Sequence, residues 1–215
     1  MLWNYKKILI FILVLALILR VASVFISPVK DWDETVYDNL GYDLSVHPFD
    51  YSFANNGWSD FIPGGLYPKA GFRPPLLPYM IALFYFLNLG FFVQFIMPLI
   101  GTLAVLLVYL LGKNLFDEKT GLIAAAFLSV MPLHIIMSGR IMNDVLSTAL
   151  ILLSFLIFWI GYERDNKRAK VVFGFVFALA LLARYTTLWL LPVFLFYFII
   201  RYKSLRFLKD RYLWL

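Results

Sequence analysis

The sequence predicts an all-α polytopic membrane protein with about six spans, and three observations lead to this prediction. Hydrophobic residues make up 62% of the 215-residue chain, against roughly 45–50% in soluble domains, and the mean hydropathy is +0.82. The apolar residues form long runs almost free of charge, and a bilayer-spanning helix needs about 20 such residues. One long acidic segment follows the first run, while most Lys and Arg residues lie in short segments between later runs.

The apolar runs define the predicted spans of a single membrane domain over residues 1–215. The spans are 8–27, 91–112, 120–137, 145–161, 171–184 and 186–201. Lys6 and Lys7 precede the first run, as in a signal sequence, but the run continues past Arg20 without a clear small-x-small cleavage site. We therefore expect a retained first span.

Residues 28–90 are predicted to form a large first extracytoplasmic loop that carries interfacial helices. Its polar part holds seven acids and three bases, together with six Trp and Tyr side chains, which is too aromatic for a disordered linker. Residues 75–89 are apolar and either cross the membrane or lie along its surface. We place them as a surface helix beginning after Pro74.

The distribution of Lys and Arg supports this topology. If residues 75–89 do not cross, thirteen bases lie on the side of the N-terminus and five lie outside or at the outer edge, as the positive-inside rule requires. The N-terminus is then cytoplasmic, in a multi-pass protein of the cell membrane. The span at 171–184 is short, and a helix ending at Arg184 is preferred over one long helix through 171–200, which would bury that arginine in mid-membrane.

Composition also excludes several classes of site. The chain has no Cys, which excludes disulfides, thiolate metal sites and cysteine nucleophiles. The net charge of +6 comes from short loops, so no nucleic-acid partner is expected. There is no metal-ligand His spacing, P-loop or Gly-rich dinucleotide signature.

The first candidate site is the acidic run Asp31-Trp32-Asp33-Glu34 after the first span. Clustered carboxylates at an outer membrane surface can act as a general base or bind a cation. A solvated acidic loop start is the alternative, and the run alone favours that alternative.

Three further charged residues lie at predicted outer ends of spans. Arg140 and Asp144 are four residues apart, a spacing that would let them pair on a helix face, either as a functional site or as a structural ion pair. Arg184 either snorkels to the interface or binds a phosphate bidentately. His134 is more often a hydrogen-bonded structural residue than a ligand in such a setting, and Arg20 is expected to pair inside the bundle.

The order of short motifs along the chain resembles a known superfamily. Asp33-Glu34-Thr35-Val36-Tyr37 resembles the D-E-x-x-Y motif, Arg73-Pro74-Pro75-Leu76-Leu77-Pro78 the (H/R)-P-P-L-x-P motif, and Leu179–Thr186 the conserved G-L-A-x-L-(T/A)-(K/R)-(Y/G)-T stretch of GT-C glycosyltransferases. The segment from Gly121 through His134 and Arg140 to Asp144 resembles their third span and second outer loop. The similarity is greatest to the protein-mannosyltransferase-like and lipid A aminoarabinose transferase-like branch.

The resemblance implies a GT-C-type helix bundle and an activity. A polyprenyl-phosphate-linked sugar would donate its glycosyl group on the outer face, with inversion, to a hydroxyl of a protein, lipid or glycan acceptor. Asp33 would be the catalytic base, with Glu34 supporting it. The lipid phosphate would be bound by Arg184, Arg140 and Arg73, Asp144 would hold a divalent metal (Mg²⁺ or Mn²⁺) in members that need one, and Tyr37 and His134 would support the substrate loop.

Members of this superfamily are usually longer, so we expect the chain to be their front module: a fragment, a split subunit or an inactive remnant. Two other functions stay open from the sequence. One is a non-catalytic subunit of a glycosylation complex, which the short length favours. The other is a transporter of lipid-linked sugars, which predicts charges deep inside spans, and only Arg20 fits that prediction.

Overall fold

A computed structural model describes residues 4–26, 32–53 and 73–202, and these fold into nine α-helices without a β-strand. The helices are α1 (Tyr5–Ile26), α2 (Trp32–Val46), α3 (Leu76–Phe86), α4 (Val93–Leu115), α5 (Glu118–Val130), α6 (Pro132–Ser138), α7 (Asn143–Tyr162), α8 (Lys167–Ala183) and α9 (Leu191–Tyr202). The all-α prediction is confirmed. Asp31 and the tail after 202 lie outside the described residues.

Three of the described helices are long and apolar enough to cross a membrane. They are α1, α4 with the 3₁₀ turn that precedes it, and α7. By length and composition they are candidate spans, and they coincide with the predicted spans at 8–27, 91–112 and 145–161. Each gains its stability from intrahelical hydrogen bonds, because lipid offers the backbone no alternative partners.

The predicted span at 120–137 is divided between two helices. The segment consists of α5 and α6, which are bent by 63° at the break between them. Pro132 begins α6, and because proline has no N–H it cannot continue the hydrogen-bond ladder of α5. Counted as one broken span, this pair brings the number of candidate spans to four among the described residues.

The two predicted spans after Tyr162 are shorter than a bilayer-crossing helix. The helix α8 has 17 residues and ends at Ala183, and Arg184 follows it in an extended backbone conformation. A helix ending at Arg184 was predicted. A 3₁₀ turn, Tyr185–Leu190, then leads into the 12 residues of α9, or about 18 Å of helix. The six predicted spans are therefore not all confirmed. Aromatic side chains pack α8 and α9 against α7: Phe155, Phe158, Tyr162, Phe173, Phe177, Phe194, Tyr197 and Phe198.

The helices α2 and α3 pack together as a pair on the first long loop. A Cβ atom on Gly41 of α2 would lie 2.4 Å from Ile81 of α3, so the glycine permits the close approach. The hydroxyl of Tyr85 also donates to Asp38 of α2 at 2.7 Å. The helix predicted over 75–89 is confirmed, and it ends because Asn88 takes a left-handed conformation with φ 58°, a helix-terminating geometry that asparagine tolerates.

Arg20 ties α1 to the break between α5 and α6. The side chain is fully buried, and its guanidinium donates to the carbonyls of Leu128 at 3.0 Å and Ser129 at 3.2 Å. These carbonyls belong to the last turn of α5, where backbone donors are scarce; Leu128 O also accepts the N–H of Met131 at 3.4 Å. Arg20 thus pairs inside the bundle, as predicted, and it replaces hydrogen bonds that Pro132 interrupts.

Candidate active site

Two predicted site residues lie on one face of α2, near its start. Asp33 and Tyr37 are four residues apart and therefore share a helix face. Asp33 and Glu34 both lie in the first turn, where acidic side chains complement the positive end of the helix dipole. The Asp33 side chain is 41% exposed, so its carboxylate is accessible, whereas Tyr37 is buried.

Arg73 lies over this face and contacts both residues. Its Nη2 is 2.5 Å from Oδ1 of Asp33, and its guanidinium carbon is 5.2 Å from the centre of the Tyr37 ring. The backbone carbonyl of Arg73 accepts from the hydroxyls of Tyr51 at 3.0 Å and Tyr185 at 3.4 Å. Because both ends of the residue are bound, the position of its positive charge is fixed.

These contacts also set the protonation of the cluster. Burial alone would lower the pKa of Arg73, but hydrogen bonds to Asp33 and Tyr37 raise it above its ordinary value. Burial raises the pKa of Tyr37, and the Tyr37 hydroxyl accepts from Nδ2 of Asn143 at 2.7 Å. Both shifts favour the protonated forms, a cation at Arg73 and a neutral phenol at Tyr37, at neutral pH.

A second ion pair joins the start of α7 to the end of α8. Asp144 lies in the first turn of α7 and pairs with Arg184, which follows α8. Both side chains are nearly half exposed. The predicted helix-face pair of Arg140 with Asp144 is wrong, because α7 begins at Asn143 and Arg140 lies before it, outside any helix.

The two ion pairs line one cavity of about 170 Å³. Its walls are Asp33, Tyr37, Arg73, Pro74, Met142, Asn143, Asp144 and Arg184. The cavity thus gathers two carboxylates and two guanidinium groups from four separate parts of the chain. The arrangement can hold an anion against the arginines and take a proton on a carboxylate.

Glu34 faces away from this cavity. Its side chain is buried, and its Oε1 accepts the backbone N–H of Ile141 at 3.2 Å. It lines a separate cavity of about 310 Å³, together with Asp38 and Tyr85. Glu34 therefore fixes the chain that leads into α7, and its predicted support of Asp33 stays a prediction.

Two other predicted site residues lie apart from the described walls of the cavity. His134 is on α6, with its Nδ1 3.0 Å from Nη2 of Arg20. Because an arginine can only donate, this nitrogen accepts and the proton of a neutral ring is on Nε2. Arg140 is in the short connection between α6 and α7, close to Glu34's partner Ile141. Their roles toward substrate stay predictions.

Sequence reasoning missed three residues that build the site. Asn143 holds the Tyr37 hydroxyl, and Tyr51 and Tyr185 hold the Arg73 backbone. Two of them adjoin predicted residues, since Asn143 precedes Asp144 and Tyr185 follows Arg184. That adjacency was a usable signal. Tyr51 had none, because it was one of many aromatic residues in its segment.

A metal centre in the cavity would need several His, Asp or Glu ligands. The described residues contain no group of three or more His, Asp or Glu side chains that could hold a metal ion. The two carboxylates of the cavity, from Asp33 and Asp144, are each paired with an arginine. The described side chains therefore do not fit a metal site at Asp144.

Comparison with known families gives one match. The model of the family described as dolichyl-phosphate-mannose-protein mannosyltransferase matches residues 72–215, or two thirds of the chain. The matched segment includes Arg73, Asp144 and Arg184, whereas Asp33 precedes it. A comparison with curated proteins found no match.

Proposed function

Because the chain belongs to the dolichyl-phosphate-mannose-protein mannosyltransferase family, we propose that this multi-pass membrane protein is a glycosyltransferase. It transfers a sugar from a polyprenyl-phosphate donor to an acceptor hydroxyl on the extracytoplasmic face. The observation that supports this most strongly is the cavity in which Asp33 faces three charged residues of the matched segment. The family's name points to a protein acceptor, and lipid and glycan acceptors are the alternatives.

Asp33 is the proposed general base. Its Oδ1 is bound by Arg73, and its Oδ2 has no hydrogen-bond partner among the described residues. In the proposed step Oδ2 takes the proton of the acceptor hydroxyl, and the hydroxyl oxygen attacks the anomeric carbon. The bond from that carbon to the phosphate oxygen breaks with inversion. Base catalysis of this kind contributes about 10²–10⁴-fold to a rate.

Arg73 is the proposed positioning residue for that base. It contacts Asp33 through one guanidinium nitrogen and stacks on the Tyr37 ring. Stacking and bidentate geometry depend on the planar guanidinium, which lysine lacks. Arg73 therefore orients the carboxylate, and its charge also lies where the leaving phosphate becomes more negative.

Arg184 is the proposed binding group for the donor phosphate. Because Asp144 is its partner, the carboxylate of Asp144 occupies the position that the phosphate would take. Donor binding then exchanges one anion for another on Arg184. A doubly exposed ion pair of this kind contributes little stability, about 0–1 kcal/mol, so the exchange costs little.

The experiment compares wild-type protein with Asp33→Asn in transfer from polyprenyl-phosphate sugars to candidate acceptors. We expect Asp33→Asn to lower the transfer rate about 10²-fold or more while leaving donor binding intact. Asp50→Asn is the matched control, since Asp50 is an exposed acid of the same loop that does not line the cavity.

Two outcomes contradict parts of the proposal. Transfer that survives Asp33→Asn excludes Asp33 as the base. Donor binding by the wild type without transfer to any acceptor excludes the activity and favours a non-catalytic subunit.

A further inference from the structure

An apolar groove lies between α1 and α5, far along the bundle from the cavity of Asp33. Its volume is about 550 Å³, and its walls are Tyr5, Ile8, Ile12, Lys119, Leu122, Ile123 and Ala126. The two helices run parallel, since Tyr5 and Lys119 meet at one end of the groove while Arg20 reaches Ser129 farther along. The groove therefore begins at the end of the bundle where both helices start.

The mouth of the groove is positively charged. Lys6, Lys7 and Lys119 are exposed there. Two acids lie beside them: Glu118 binds Nζ of Lys113 at 3.0 Å and the Tyr109 hydroxyl at 2.8 Å and also attracts Lys6, and Asp117 attracts Lys119. With Lys113 included, four lysines stand against these two acids, so the local charge stays positive. In the described part of the chain, Lys119 forms no ion pair. The groove thus combines apolar walls with cations at one end.

We propose that this groove is a binding site for an anionic phospholipid, with one acyl chain between α1 and α5 and the phosphate headgroup at Lys119. The walls offer the chain contacts along α5 from Lys119 to Ala126, a rise of about 10 Å. A lysine near an anionic lipid surface strengthens binding about fivefold. The headgroup end is the cytoplasmic end in the predicted topology.

Charge complementarity is the reason for choosing this occupant. A neighbouring apolar helix would fill the walls equally well but would leave the excess positive charge of the lysines without a counter-ion. A zwitterionic lipid would present no net charge to them. An anionic phospholipid matches both the apolar walls, through its acyl chain, and the lysines at the mouth, through its headgroup. The site does not share a residue with the proposed catalytic cavity, so it does not depend on the glycosyltransferase proposal.

The test measures lipid retention by native mass spectrometry of the purified chain in neutral detergent. The probes are phosphatidylglycerol and phosphatidylcholine with identical acyl chains. We expect wild type to bind phosphatidylglycerol at least about fivefold more tightly, and Lys119→Gln to lose about fivefold of that affinity. Lys167→Gln is the matched control, because Lys167 is an exposed lysine at the start of α8, away from the groove.

A second variant tests the apolar walls. Ala126→Trp fills the groove, so binding of phosphatidylglycerol should fall to the level of phosphatidylcholine. If this variant does not fold, the exposed Lys119→Gln change still decides the matter. The proposal is overturned if both lipids bind equally, if Lys119→Gln binds like wild type, or if a second copy of the chain occupies the groove and excludes lipid.

Discussion

Replacing Arg20 with methionine should destabilise the protein through two backbone carbonyls. The guanidinium donates to Leu128 O at 3.0 Å and to Ser129 O at 3.2 Å. Within a continuous helix their donors would be the N–H groups four residues later. One of those positions is Pro132, which has no N–H, and the other lies beyond the break. Methionine fills the space of the side chain but supplies no donor.

The size of the effect follows from these two groups. A buried carbonyl left unpaired costs about 1–3 kcal/mol, and this cost applies to Ser129 O. Leu128 O keeps the backbone N–H of Met131 at 3.4 Å and loses only the bond from a charged donor, which contributes about 1.5–3 kcal/mol. Removing a buried charge offsets part of the sum, and we expect a net loss near 3 kcal/mol. For a chain of about 150–250 residues, 1 kcal/mol corresponds to roughly 2–4 °C in Tm. The expected decrease is therefore about 6–12 °C.

The assay is thermal unfolding in detergent, followed by tryptophan fluorescence. Arg168→Met is the matched control, because it removes the same charge from an exposed position on α8 and should change stability by less than about 0.5 kcal/mol. If Arg20→Met unfolds within about 2 °C of this control, the two carbonyls do not depend on Arg20 and the explanation of the break is wrong.

Four other predictions concern the site and the topology. Arg73→Lys should lower the transfer rate at saturating donor, because lysine keeps the charge but cannot stack or orient a carboxylate; an unchanged kcat would contradict this. Asp144→Asn should lower the KM for donor by freeing its arginine partner, and a raised KM, or loss of transfer with EDTA in the wild type, would instead indicate a metal. A backbone N–H of α5 lowers the pKa of Asp117 below its ordinary 3.8, so the Asp117 carboxylate stabilises the fold above that pH. The Tm difference from Asp117→Asn should be constant above about pH 5 and shrink below about pH 4 as the carboxylate is protonated. Because the chain lacks cysteine, a membrane-impermeant maleimide added to intact cells should label His47→Cys and not Lys167→Cys; the reverse pattern would invert the proposed topology.

The long spans were predictable because the information is local. An apolar run of about 20 residues with few charges is stable in few environments other than a lipid bilayer. The helices α1, α4 and α7 lie at such runs. The break at Pro132 was not predictable in the same way. Pro98 lies inside the unbroken α4, while Pro132 separates two helices, so proline alone does not distinguish a tolerated position from a break.

The candidate site shows the same division between local and distant information. The motifs identified Asp33, Arg73, Asp144 and Arg184 individually, and all four line one cavity. Which of them pair with each other could not be predicted from the sequence, because each ion pair joins residues 40 positions apart. Local spacing assigned Asp144 to Arg140 instead. Residues four positions apart share a helix face only where both belong to one helix. Because α7 begins at Asn143, it includes Asp144 but not Arg140.

Arg20 has a consequence for how the protein enters the membrane. Its guanidinium binds the Ala16 carbonyl within α1 at 3.0 Å, but its other partners, from Leu128 to His134, are synthesised 108 to 114 residues later. At roughly 5–20 residues per second, α1 waits about 5–20 s for them. During that interval most of its donors lack protein partners, and an arginine inside a span costs up to about 2.5–3.5 kcal/mol. Because Arg20 is six residues from the end of α1, its side chain can meanwhile extend to the membrane surface. We therefore expect the insertion of α1 to become more stable when α5 and α6 arrive.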